Sequence, residues 1–242
     1  MALRNQESKT FTLKRIRAGT RLFLKGGLFH PLAIIIAIFI VFSCYNIVKS
    51  TGYQKMVGLY LSLDSFLLPI YVLQAAFHVI RDAKTTIFEL NLLKDWYLLF
   101  FSRLLALGIA ITPLLLALAI ILYLGNLSHL ILPLIVRFIT YISIAALAML
   151  LQSRKGSLLF LVVSFIILPF GAQIIFSYTS AQGEVIDPIL SIVLYFLAPI
   201  TSTIYCELLS LNLTLAQLLT ILTSLIIILL SAITFKKLEY EI

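Results

Sequence analysis

Hydrophobic residues in this chain come in long unbroken runs, not in alternating or one-faced patterns. The runs cover about 31–48, 57–80, 96–124, 130–151, 157–180 and 213–235, and the short stretches between them hold most of the charges. A bilayer's hydrocarbon core is about 30 Å thick, so a helix needs roughly 20 mostly apolar residues to cross it. The pattern therefore predicts six membrane-spanning helices. A seventh run, about 189–206, is cut by Pro199 and followed by Glu207. It fits either a short span or a segment that dips into the membrane and turns back.

The stretch 11–25 has a different pattern. At about 100° per residue, Lys14, Arg17, Arg21 and Lys25 share one sector, and Leu13, Ile16, Phe23 and Leu24 face the other way. That describes an amphipathic helix lying in the membrane interface, basic face toward anionic headgroups. Gly26 and Gly27 would let the chain turn, and Pro31 would open the first span. The simpler reading, a plain basic anchor, leaves the segment on the same cytoplasmic surface.

Composition agrees with the runs. AVILMFWYC make up 62% of the 242 residues and charged residues only 12%, with mean hydropathy +1.11. An ordinary soluble domain is nearer half apolar and about a quarter charged, so a soluble enzyme, a disordered regulator and a nucleic-acid-binding module are excluded. The formal charge of +8 then reports orientation, because Lys and Arg collect in short cytoplasmic loops. With six spans, the basic residues of segment 1–30, of the loop after the second span (Arg81, Lys84, Lys94, with Arg103 just inside the third), of the next short loop (Arg154, Lys155) and of the tail (Lys236, Lys237) share one side. Lys49 and Lys55 lie opposite, and Arg137 falls within a span. A seventh span would move the tail outside. Both termini are thus expected in the cytoplasm of a cell that carries the chain in its plasma membrane. Residues 1–242 are expected to form one transmembrane domain: a tail and interfacial helix at 1–30, a cytoplasmic loop at 81–95 and an outer loop at 181–212. The first run is not expected to be a cleaved signal, since its basic prelude is too long.

Candidate chemistry is sparse. His30, His78 and His129 lie at separate membrane boundaries with no metal-ligand spacing, and no phosphate-cradling Gly-Lys dipeptide occurs. The expectation is a chain without catalytic or metal-binding residues and without a cofactor of its own. Cys44 and Cys206 both map near the outer face, where a disulfide is open but two inert thiols are the simpler reading. Asn126 and Asn212 begin sequons too close to the membrane to be read as more than chance matches. Ionisable residues inside spans are costly and are functional candidates by default. Asp64 and Arg137 each lie about seven residues below the outer surface, roughly 10–12 Å deep. Equal depth and opposite sign suggest an intramembrane ion pair; the alternative is that each finds separate polar company.

The loop 81–95 mixes charges with Ile87, Phe88, Leu90, Leu92 and Leu93. A bare tether needs few apolar residues, so a short helix that docks on headgroups or on a cytoplasmic partner is expected.

The order of these features resembles the membrane subunit of a type-2 ABC exporter permease. The local match runs through Asp82, Thr85-Thr86 and Glu89-Leu90, then a span opening at Trp96 with Arg103. It continues in Leu197-Ala198-Pro199 before the last span and in the charged ending from Phe235 to Glu239. The family's Gly and turn Pro are missing from the loop, where Asn91 to Asp95 stand instead. The resemblance implies an all-α permease: a basic elbow helix, six spans, a coupling helix in the second loop and a membrane-dipping segment before the last span. It also implies pairing with a second permease half, a copy or a paralogue, and powering by separate ATPase subunits that hold ATP and Mg. Asp82, Thr86, Ile87, Phe88, Glu89 and Leu90 would then contact the ATPase, with Glu89 meeting a basic residue there. Two other readings stay open: a non-transporting membrane scaffold, and an ion-coupled transporter using Asp64 or Arg137. No nucleic-acid partner is expected.

Overall fold

The computed structural model describes residues 19–21, 23–24, 31–49, 63–81, 83–151 and 153–237. The described residues are almost wholly helical, and their only extended pairing is a single bridge between Ile186 and Leu209. This is an all-α, multi-pass membrane protein. Among the described residues four helices are long and apolar enough to cross a membrane: Trp96–Leu124, Ser128–Ala148, Arg154–Gln182 and Leu213–Lys237. Lys14, Arg17, Lys25 and Asp82 lie outside the described residues. Arg21 is within them and exposed.

In chain order the helices are α1 (Pro31–Lys49), α2 (Leu68–Val79), α3 (Ala83–Leu93), α4 (Trp96–Leu124), α5 (Ile131–Ala148), α6 (Arg154–Val162), α7 (Leu168–Gln182), α8 (Pro188–Leu197), α9 (Pro199–Ile204) and α10 (Leu213–Lys237). The central helix is α5. Of its most apolar stretch 67% is buried inside the protein, against 28% for α10 and for the Arg154–Gln182 span. It packs most extensively on α10 and then on α4. The outward faces of α1, α4 and α10 expose Phe42, Ile120, Leu229 and similar side chains, as expected of helices solvated by lipid.

Local sequence explains the helix ends. Asp95 caps α4, its carboxylate accepting from the N–H groups of Tyr97 (2.8 Å) and Leu98 (3.3 Å). Ser153 caps α6 and Asp187 caps α8. Asn212 accepts from the Thr214 N–H at 2.9 Å at the head of α10, so cap chemistry accounts for this asparagine. Gly183 closes α7 at φ 69°, a left-handed conformation that costs glycine little.

Two prolines have a common consequence. Pro69 and Pro169 each stand just after a π-helical turn, Leu63–Leu67 and Val163–Ile167. Proline removes an N–H and collides with the carbonyl four residues back, and a wider turn relieves both problems. The sequence around each is nearly the same, Ser65-Phe66-Leu67-Leu68-Pro69 and Ser164-Phe165-Ile166-Ile167-Leu168-Pro169. The two turns pack together. The rings of Phe66 and Phe170 lie 5.7 Å apart, and the Ser65 hydroxyl donates to Gln173 Oε1 at 2.9 Å.

Charge separates along the bundle. Trp96 meets Phe235 (5.7 Å), the Arg154 guanidinium covers the Phe77 ring (4.1 Å), and the Ser157 hydroxyl donates to the Ala148 carbonyl (2.9 Å). These contacts bring the end of α2, α3, the start of α4, the end of α5, the start of α6 and the end of α10 to one end of the molecule. Lys84, Lys94, Lys155, Lys236 and Lys237 gather there. Glu184, Asp187 and Glu207 stand exposed at the other end.

The seventh apolar run, about 189–206, lies within a segment whose two ends meet. The Ile186 N–H donates to the Leu208 carbonyl at 2.8 Å, so the chain leaves and returns at the same place. The two cysteines are free thiols, Cys44 buried and Cys206 exposed.

Candidate functional site

The excursion breaks at Ala198, whose φ and ψ of −144° and 69° end α8; Pro199 then opens α9. A residue before proline is pushed out of the helical region, so Leu197-Ala198-Pro199 breaks the helix for a local reason. A break inside a membrane protein has a cost. The last carbonyls of α8 and the first N–H groups of α9 lose their helical partners, and lipid supplies none.

Asp64 and Arg137 fill that gap. Arg137 Nε lies 2.8 Å from Asp64 Oδ1, both side chains fully buried. Arg137 Nη1 donates to the Leu197 carbonyl, the last of α8. Arg137 Nη2 donates to the Asp64 backbone carbonyl at 3.0 Å. The other carboxylate oxygen, Asp64 Oδ2, accepts from the Thr201 N–H at 2.9 Å and from the Thr201 hydroxyl at 3.0 Å, in the first turn of α9. The guanidinium face rests 4.3 Å from the centre of the Tyr141 ring, one turn along α5. The cation thus serves the orphaned acceptor and the anion the orphaned donor. Asp64 itself sits in the first π-turn, next to Ser65 and its bond to α7. One cluster therefore joins the π-turn, α5 and both halves of the broken helix.

Chemically, the cluster is a joint. The pair's contacts are made within the protein: Arg137 Nε and Asp64 Oδ1 face each other as an ion pair, and Arg137 Nη1 and Nη2 and Asp64 Oδ2 make hydrogen bonds. Among the described residues no group of three His, Cys, Asp or Glu side chains could hold a metal ion. A cavity of about 590 Å³ lies elsewhere, between α1, α2 and α4, lined by Val41, Phe42, Tyr71, Pro113 and Leu114 among others. Of its two lining tyrosines, Tyr71 donates its hydroxyl to the Ala110 carbonyl at 2.9 Å, a turn before Pro113 in α4.

A second cluster lies at the basic end. Arg103, two turns into α4, donates to Glu89 Oε2 at 2.6 Å and to the Thr86 hydroxyl at 3.0 Å, both on α3. All three are buried, and Arg103 is 1% exposed. The Phe23 ring stands over the guanidinium at 5.7 Å, and Arg81 approaches Glu89 Oε1 at 3.9 Å. The close approach of Gly19 to α4 depends on its lacking a side chain. A Cβ at Gly19 would stand 3.0 Å from the Ser102 hydroxyl.

The structure thus brings Asp64 and Arg137 together and divides the loop residues. Phe88 is 65% exposed, Ile87 and Leu90 are half-buried, and Thr86 and Glu89 point inward. Glu89, expected to face a partner's basic residue, is instead spent on Arg103. Sequence reasoning passed over Arg103, because a basic residue near a span end can reach back to water. Its signal was the i, i+3 spacing of Thr86 and Glu89 on a helix separated from α4 by only two residues. Leu197 and Thr201 were missed as partners, although the proline beside them marked the break.

No protein-family model matches the chain, and no curated protein matches it either.

Proposed function

We propose that the chain is the membrane permease subunit of an ATP-driven exporter of the ABC type, paired with a second permease half and powered by separate ATPase subunits. In this reading α1, the bent stretch ending in α2, α4, α5, Arg154–Gln182 and α10 are six spans, and the excursion through α8 and α9 dips in from outside. The basic end, with both termini, faces the cytoplasm of a plasma membrane, as the positive-inside rule requires. ATP and Mg belong to the partner.

The observation that carries the reading is α3. It is a short helix at the basic end whose inner side is fixed to α4 through Glu89 and Arg103. Its outer side carries Lys84, Phe88 and Asn91, all exposed. An exposed aromatic with a lysine one turn before it is a surface for an acidic, grooved protein partner. Glu89 and Asp95, the acids of α3 and its turn into α4, are already used, one by Arg103 and one as the α4 cap. The apolar cavity between α1, α2 and α4 supports a hydrophobic or amphipathic cargo over a strongly ionic one. The ion-coupled alternative would need Asp64 or Arg137 to meet water, and both are fully buried and paired.

The test is purification of the chain in mild detergent with assay of the eluate for vanadate-sensitive ATP hydrolysis. The expected result is a co-purifying ATPase that is lost from the Phe88→Asp variant while the permease still folds. An eluate without ATPase, or an equal amount of it with Phe88→Asp, would overturn the proposal and favour the scaffold reading.

A further inference from the structure

Helix α3 could in principle roll about its axis, since Lys94 and Asp95 alone connect it to α4. Lys94 adopts φ 57°, so the turn is tight and sets where α3 leaves α4, while the buried contacts along α3 set which of its sides faces inward. What does fix the roll is one side chain reaching across from α4. Thr86, Glu89 and Leu93 form a stripe at i, i+3 and i+7, all buried. Arg103 bonds the first two, and Leu93 lies against the site of closest approach of Gly19, 3.5 Å from where a Cβ there would stand. Phe23 closes the guanidinium from the remaining side. The opposite stripe, Lys84, Phe88 and Asn91, is exposed as a direct consequence. A buried, charge-assisted pair is directional and strong where water is excluded, so it resists roll far better than apolar contact would.

We infer that Arg103 is a positioning residue: with Glu89 and Thr86, under the Phe23 ring, it locks the rotation of α3 about its axis and makes α3 and the start of α4 one rigid lever. The inference rests on the permease reading for its purpose, since a push on Phe88 then moves the span. The locking itself stands without it. An unlocked α3 would roll under the same push and leave α4 where it was.

The experiment separates the two. In a background with Cys44→Ala and Cys206→Ala, single cysteines replace Phe88 or Leu93, and the protein is placed in nanodiscs so that a polar maleimide reaches both faces. A thiol reached only through local opening reacts more slowly by the opening equilibrium, about tenfold for each 1.4 kcal/mol. The Leu93 thiol is expected to react at least about tenfold more slowly than the Phe88 thiol. With Arg103→Met, or the milder Glu89→Gln, it should approach the Phe88 rate. The exchange Glu89→Arg with Arg103→Glu should restore most of the protection, because the Thr86 hydroxyl can donate as well as accept and the half-exposed Arg81 can swing aside. Fast labelling at Leu93 in the parent, or continued protection with Arg103→Met, overturns the lock. In the complex with the co-purified ATPase, stimulation of hydrolysis by the permease should fall and recover in step with labelling. If labelling changes as expected and stimulation does not, the lever role is overturned. If no ATPase is present, the permease reading fails and the labelling alone still judges the lock.

Discussion

The joint between Asp64, Arg137 and the broken helix can be tested by removing its charges one at a time and together. Asp64→Asn keeps an amide oxygen for the Thr201 N–H and hydroxyl, now 2.9 and 3.0 Å from Oδ2, but leaves the fully buried guanidinium without a counter-charge. Arg137→Met leaves the carboxylate uncompensated and orphans the Leu197 and Asp64 carbonyls. Breaking a buried pair from either side costs about 3–5 kcal/mol, a large part of a total stability of about 5–15 kcal/mol. The double variant carries no buried charge. It keeps only the penalty of the two orphaned carbonyls, about 1–3 kcal/mol each, so on central values (singles summing to about 8 kcal/mol, the double costing about 4) the cycle should show a coupling of about 4 kcal/mol. The measurement is reversible unfolding of each protein in mixed micelles against rising SDS fraction. A third variant sharpens the test. Exchanging the residues, Asp64→Arg with Arg137→Asp, retains the pair's charges but points a cation at the Thr201 N–H and an anion at the Leu197 carbonyl, and should rescue nothing. Single variants costing under about 1 kcal/mol, additive losses in the double, or a stabilised exchange variant would refute the joint.

Two further perturbations follow. Pro199→Ala relaxes the constraint on Ala198 and lets α8 and α9 run on as one helix. That draws the Leu197 carbonyl away from Arg137 and should cost about 1.5–3 kcal/mol, the range for a hydrogen bond to a charged group, read in the same SDS titration; a gain in stability would count against the break being held by Arg137. Gly19→Leu forces a side chain against Ser102 and should lift Phe23 off Arg103 without altering any charge, so a Leu93 thiol should label faster while the SDS midpoint moves little. Unchanged labelling would mean that Phe23 does not cover the pair.

The two clusters divide the bundle. Arg103 fixes the start of α4 to α3, and Arg137 fixes the middle of the bundle to the broken helix α8–α9. Between them lie α5, buried along most of its length, and the two facing π-turns, where helices carry a wider and softer turn.

Hydropathy and charge alone determined the membrane class, the approximate limits of the apolar helices, the basic end and the cost of Asp64 and Arg137, because each follows from lipid as solvent and needs no neighbour. Pro69, Pro169 and Pro199 likewise marked where helices must widen or break, since the missing N–H is a property of the residue itself. What the tertiary structure decided is which partners relieve those costs. The chain shows a break after Leu197 but not that Arg137, sixty residues earlier in the sequence, supplies its donor, nor that Thr201 gives Asp64 its second set of contacts. It shows Glu89 on a short amphipathic loop but not which way the loop is rolled, and the roll depends on an arginine that periodicity assigns equally well to water. Polar groups in an apolar medium must be satisfied, and this much is legible from a sequence; the satisfying group depends on helix crossings that bring distant turns within 3 Å, and those exist only once the bundle has packed.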